Sequence, residues 1–378
     1  MRAVVVPVAA TVAAVLLAML FLWLTGYPAV DTFRAIVRES LRDGYGFGQV
    51  LHTATLLTFT GLAVAIGFRG GFFNIGVEGQ FTVGALALGV AAFHMQRMDA
   101  ATLQGVPPVL MTVGLVLLAM SASAVWAGIP GVLRAATGAH EVIVTIMMNF
   151  IALALANWAI RPHPDSFAVP AKQRTPAIPQ SMRLPRLSED WPVFSGSVVN
   201  WSLLLAVAAV VVVALVLYRT RLGFEVRAMG GNPHAARMAG IRPGRVTVLT
   251  MLLSGAVAGL ASVDLVLGYK GYFEESLGLG MGFLGIAVAL LAANEPVAIP
   301  FAALLFAVLN YGKVAAAGEV PKDIISIMEA TLIFSLLAGN RVFAVLLDRA
   351  RRKRAGREDA GPDAPPQPDP GSPTGTPA

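Results

Sequence analysis

Residues 51–96 read LHTATLLTFTGLAVAIGFRGGFFNIGVEGQFTVGALALGVAAFHMQ. Apolar residues dominate both halves, and Arg69, Asn74, Glu78 and Gln80 interrupt them. Two bilayer-length helices can be drawn, 48–68 and 72–94, because a crossing helix needs about 20 mostly apolar residues. A carboxylate inside the second is unexpected. A charge at the centre of such a helix costs about 2.5–3.5 kcal/mol on insertion scales, so it faces the bundle interior or a water-filled path.

The pattern recurs outward from this stretch. The 378 residues are 56% hydrophobic and 13% charged, where a soluble chain carries about 25% charged residues. Mean hydropathy is +0.70. The fold class expected is an all-α polytopic membrane protein. A transmembrane barrel would show short alternating segments, and the sequence has none. Zero cysteines exclude disulfides, thiol catalysis and Cys-ligated metals. The basic balance (pI 9.9) does not point to nucleic acid, since the Lys and Arg residues gather at span edges, which orientation explains.

About ten spans fit: 4–25, 48–68, 72–94, 107–133, 140–160, 200–218, 246–269, 282–293, 296–313 and 321–340. The first exceeds a cleavable signal core and reads as a retained anchor. The eighth is too short to cross alone and reads as a broken or re-entrant helix, tolerated only where buried or lining a cavity. With the N-terminus in the cytoplasm, ten spans place Arg69, Arg134, the loop 219–245 and the tail from 341 on the same side. The two densest basic clusters, Arg219 to Arg245 and Arg341 to Arg354, then agree with the positive-inside rule.

Between the spans, residues 31–46 read as an amphipathic surface helix. Residues 161–199, with seven prolines, read as an extracytoplasmic excursion. The stretch 341–378 is basic, then rich in Pro, Gly and Asp, and is expected to be disordered. Gly67-Phe68-Arg69-Gly70 with Phe72 echoes Gly268-Tyr269-Lys270-Gly271 with Phe273. Five spans separate the two, the odd number that a five-plus-five inverted repeat requires.

The polar residues within the spans are the candidate site. Asn74 is placed to cap the helix that carries Glu78, and Glu78 lies six residues beyond Phe72, about 9 Å from the inner end. Glu78 and Gln80 have two readings: they bond neighbouring helices and fix the packing, or they line the solute path. Glu141 lies near the inner edge of the fifth span, with Asn149 about eight residues deeper and Asn157 two turns beyond. Asn149 is the better pathway candidate because it lies nearer mid-membrane. Asp264 is intramembrane towards the outer half, and Gly255 with Gly259 forms a small-residue packing face.

In the loop, GGNPHAARMAGI (230–241) reads as a complete miniature helix. Asn232 is its N-cap, Pro233 its first residue and Gly240 its stop. Ala235, Ala236, Met238 and Ala239 give it an apolar face. Two turns are not stable alone in water, so the helix is expected to dock in a groove of a cytoplasmic partner. No P-loop, H-E-x-x-H or G-x-S-x-G motif occurs, so no enzyme is expected.

Four blocks together resemble the membrane permeases of ABC importers. They are GFRGGFFNIGVEGQFTVGA (67–85), AGIPGVLRAATGAHEVIVTIMMNFIAL (127–153), RTRLGFEVRAMGGNPHAARMAGI (219–241) and LLSGAVAGLAS (252–262), in family order over most of 60–340. The branch is the ribose-type one, and within it the nucleoside-uptake subgroup, whose N-E-V-I-[ST]-T run stands here as His140 to Thr145. The resemblance implies a permease domain over 1–340 in the bacterial inner membrane, with cytoplasmic termini. It implies a shorter second permease, an ABC ATPase that binds ATP and Mg, and an extracytoplasmic substrate-binding lipoprotein, with no cofactor in this chain. It makes Gly231, Asn232, Pro233, Ala235, Ala236, Ala239 and Gly240 the coupling helix. It places Asn74, Glu78 and Gln80 in the family's hallmark loop-helix. Pathway candidates are Asn74, Glu78, Gln80, Glu141 and Asn149. A simple sugar such as ribose, or an ion-coupled secondary carrier, is the alternative.

Overall fold

The computed structural model describes residues 2–98 and 105–315, apart from 162, 164, 165 and 171, and scattered positions between 321 and 335. The expected tenth span, 321–340, falls largely outside the described residues, and the tail 341–378 wholly so. Among the described residues the fold is helical. Two isolated bridges, Arg174 with Glu274 and Arg186 with Asn200, are its extended pairings.

The α-helices of six residues or more are α1 (Arg2–Leu24), α2 (Ala29–Leu41), α3 (Gly44–Arg69), α4 (Val77–Gln96), α5 (Pro108–Thr137), α6 (Glu141–Ile160), α7 (Ser202–Arg219), α8 (Arg221–Gly231), α9 (Pro233–Met238), α10 (Pro243–Val263), α11 (Met281–Leu291) and α12 (Ile299–Ala315). A π-helical segment, Asp264–Lys270, continues α10. Among the described residues, five elements are long and apolar enough to cross a membrane: α3, α5, α6, α7 and α10 with its π segment.

Local chemistry sets the boundaries. Asp43 caps α3 by accepting from Gly46 N at 2.7 Å. Pro108 and Pro243 open α5 and α10, where their missing N–H is no loss. Gly138, left-handed at φ 72°, closes α5. The helix expected over 31–46 is α2, which ends earlier because Asp43 starts the next helix. It does not lie free at the surface: Ile36 is fully buried against Gly312 of α12, and Ser40 Oγ donates to Val308 O at 3.3 Å. The loop 219–245 holds α8 besides the expected miniature helix, capped by Thr220, which accepts from Gly223 N at 3.1 Å.

At the centre stand α3 and α10, buried almost throughout, while α5, α6 and α7 expose apolar faces such as Val125, Phe150 and Val207. The close packing of α10 on α5 comes from small residues. A Cβ on Gly255 would stand 2.5 Å from Ala127 Cβ, so only glycine lets the backbones meet there. Arg69, Arg134, Met229, Gly230 and Arg237 gather at one end of the bundle, hereafter the basic end. At the other end the proline-rich 161–199 segment is a packed cap. Ile178 and Val199 are fully buried. Ile178 N donates to Gly271 O at 2.8 Å and Leu184 N to Leu267 O at 3.1 Å.

The two GxxG stretches behave alike locally. Each ends a long helix, and each is followed by non-helical chain, a buried phenylalanine (Phe72, Phe273) and a new helix, α4 or α11. Left-handed glycines, Gly71 (φ 77°) and Gly271 (φ 79°), make the turns.

Candidate functional site

The polar segment of the opening stretch is folded differently from the helix expected at 72–94. Residues 70–76 are non-helical and α4 begins at Val77. Asn74 therefore does not cap α4. Gly76 holds that position, and Asn74 Oδ1 accepts from Gly76 N at 3.0 Å instead. Asn74 and Gln80 also pair amide to amide, at 2.9 and 3.2 Å. Asn74 Nδ2 donates to Ser254 Oγ at 2.8 Å, which donates to Ala63 O at 2.6 Å. Ala63 precedes the end of α3 by six residues, about 9 Å of helical rise. The segment thus turns back into the bundle, and Glu78, one turn further on, lies deeper than a count from Phe72 suggests.

Glu78 is 6% exposed. It accepts from Gly280 N at 2.7 Å through Oε1 and from Gly282 N at 2.8 Å through Oε2. These are N–H groups at the start of α11, so Glu78 caps a helix other than its own and meets its positive dipole end. The far end of α11 reaches the basic end, where Arg69 Nε donates to Asn294 O at 3.0 Å and Arg69 pairs with Glu295. An 11-residue helix rises only about 16 Å, roughly half of a ~30 Å hydrocarbon core. The short eighth span is therefore a half-helix whose N-terminus sits near mid-depth. A Cβ on Gly282 would come 2.5 Å from Glu78 N, so α11 lies directly on α4.

The other two candidates are engaged within the chain as well. Asn149 accepts from Gly79 N at 2.8 Å and donates to Ile75 O at 2.9 Å, tying α6 to the turn. Glu141 pairs with Arg134, whose guanidinium lies 5.4 Å from the Phe72 ring centre. Together the five candidates form one stitched region where α3, α4, α6, α10 and α11 converge.

The miniature helix is α9. Asn232 accepts from His234 N at 3.0 Å and Ala235 N at 3.1 Å, Pro233 is its first residue and Gly240 (φ 81°) follows its end. Its faces differ from expectation. Ala236 is 3% exposed and belongs to the core, whereas Gly231, Ala235, Met238, Ala239 and Gly240 face outward, Met238 at 91% exposure. Ala236 turns inward because two helical turns cannot hold their place without burying something.

Sequence reasoning missed His52. Its Nδ1 lies 3.4 Å from Asp264 Oδ1 without forming a hydrogen bond, while Asn200 (3.1 Å) and Ser202 donate to that oxygen. Asp264 is fully buried and starts the π segment, a distortion that recurs at functional sites. The signal was an ionisable group in an apolar run, but 212 residues separate the pair, and no spacing rule joins them. The straight seventh span expected at 246–269 is in fact α-helix to Val263 and π-helix beyond.

A bundle of membrane-spanning helices around a half-helix that starts at mid-depth is the architecture of a solute permease: broken backbone at that depth is tolerated where it is buried in protein or lines a cavity. Residues 46–340 match the family described as branched-chain amino acid transport system, permease component, and the chain belongs to that family. It is 33% identical to the nucleoside ABC transporter permease protein NupB of Lactococcus lactis, over 94% of this chain and 96% of that one. It is 33% identical to the guanosine ABC transporter permease protein NupP of Bacillus subtilis, over 93% and 97%. It is 36% identical to the glucose ABC transporter permease protein TsgB13 of Haloferax volcanii, over 82% and 80%. No solved structure matches. The chain is a multi-pass membrane permease component, as its sequence predicts.

Proposed function

We propose that this permease imports neutral nucleosides as the translocating subunit of an ATP-driven complex. The observation that carries the neutral-solute part is the closure of the α11 N-terminus by Glu78. Half-helix N-termini at mid-membrane are where transporters receive anionic groups of a substrate. Here that position already holds a carboxylate, with no cation paired to it among the described residues. An amino-acid carboxylate would meet repulsion there, while an uncharged solute meets none. Relatives named for nucleosides and for guanosine, matched nearly end to end, support the nucleoside.

The energy source is proposed to be a separate ATPase that binds ATP and Mg, seated on α9 at the basic end, which faces the cytoplasm with both termini. The exposed Ala235, Met238 and Ala239 are the seat. ATP binding moves α9, and the bundle rocks between outward- and inward-facing states. A second, shorter permease forms the opposite wall. Relatives occur as such pairs, NupB with NupC and NupP with NupQ. A substrate-binding lipoprotein delivers the solute at the capped end. The chain itself does no bond chemistry. A second reading, a simple sugar, rests on the 36% identity to the glucose permease.

Uptake of radiolabelled guanosine, uridine, ribose and glucose by cells carrying the whole complex tests both. ATP-dependent nucleoside uptake that disappears with Met238→Glu, the protein remaining in the membrane, supports the proposal. Uptake of a sugar alone moves the substrate to the second reading. Uptake that survives both the variant and ATP depletion favours an ion-coupled carrier and contradicts it.

A further inference from the structure

The five pathway candidates have their polar groups engaged by the protein's own backbone and side chains, yet one cleft in the outer half retains polar groups without partners. It is lined by Glu78, Thr82, Asn157 and Ser276 with apolar Phe273 and Leu279, and its enclosed space is about 10 Å³, room for one water-sized group. Asn157 Oδ1 is shielded from solvent and accepts no hydrogen bond. Ser276, exposed at the mouth, holds φ 59°, a left-handed conformation uncommon for a residue other than glycine. Strain of this kind concentrates at ligand clamps. Thr82 Oγ1 donates to Glu78 O at 2.7 Å, leaving its lone pairs free to accept.

We infer that Asn157, Thr82 and Ser276 form a substrate-contact subsite in the outer half of the path, for the hydroxyl and amino donors of a neutral nucleoside. This rests on the import reading above. Acceptors predominate at the cleft: the Asn157 carbonyl, two hydroxyl oxygens and the spare lone pairs of Glu78. Donor-rich, uncharged groups fit them, and an anion does not. Beside the cleft, the exposed Leu279 offers an apolar surface that suits a base or sugar face. The enclosed space is far below the ~300–1,000 Å³ usual for small-molecule sites, so this chain supplies a hydrogen-bonding notch in one wall and the facing permease the rest of the site. Unpaired polar groups cannot face hydrocarbon, which also directs the cleft to water or protein rather than lipid.

The test measures nucleoside uptake kinetics of the intact complex with Asn157→Ala and Ser276→Gly, and with Phe150→Leu on the exposed face of α6 as control. Losing one neutral hydrogen bond predicts a roughly three- to tenfold rise in KM for each of the first two, with maximal rate and membrane level retained. Ser276→Gly is the decisive member. Glycine relieves the left-handed backbone, so a merely structural serine would give a stable protein with unchanged KM. Unchanged KM in Ser276→Gly overturns the subsite, as does an equal rise in Phe150→Leu. A wild-type complex that imports neither nucleoside nor sugar removes the import reading and the subsite with it.

Discussion

Two turns carry the chain back into this bundle, 70–76 and 271–280, and they are built to different standards. In the first, Asn74, Gln80, Ser254 and Asn149 satisfy one another and the backbone. The second holds left-handed Ser276, Gly278 and Gly280 in close succession, and faces the unpartnered Asn157 carbonyl across a cleft. The first turn reads as a fastening and the second as a contact surface. Glu78 joins them: it sits at the start of α4, just after the first turn, and caps the helix that follows the second.

Because Glu78 joins the two turns, its replacement is expected to have the largest effect. Glu78→Ala leaves two buried N–H groups without acceptors, at about 1–3 kcal/mol each. The expected result is a loss of about 2–5 kcal/mol, seen as a lowered unfolding temperature of the purified protein, with uptake lost as well. Next comes α9. Ala236→Glu puts a charge into the core and is expected to cost several kcal/mol, whereas Met238→Glu leaves stability intact and abolishes only ATP-dependent uptake. Thermal unfolding beside uptake separates the two. Asn149→Leu, which orphans Gly79 N and Ile75 O, is expected to cost about 2–4 kcal/mol without a selective change in KM. The smallest effect is that of Ser276→Gly, in KM alone.

The sequence announced much of this. Span edges followed hydropathy to within a few residues, because α5, α6 and α7 bury little and must be apolar to face lipid. The α9 helix was legible to the residue, since Asn232, Pro233 and Gly240 each act locally. What hydropathy missed was depth. Phe72, Phe73 and Ile75 read as helix, but Gly71 and the amide pairing of Asn74 with Gln80 turn that chain back. Partners distant in sequence were also beyond reach. Glu78 meets Gly280 across 202 residues, and His52 meets Asp264 across 212; only the folded bundle brings these together. Asn157 looked like one more polar residue on a span, and its significance depends on a cleft that no local pattern encodes.

The absence of cysteine permits the most direct measurement. In the assembled complex, Ser276→Cys and Asn149→Cys would each carry the chain's one thiol, and a water-soluble thiol reagent would be added with and without guanosine. Ser276→Cys is expected to be modified, more slowly with guanosine present, while Asn149→Cys stays unreacted in both conditions. Equal labelling of the two, with equal protection by guanosine, would contradict the division between a fastened turn and a substrate-facing one.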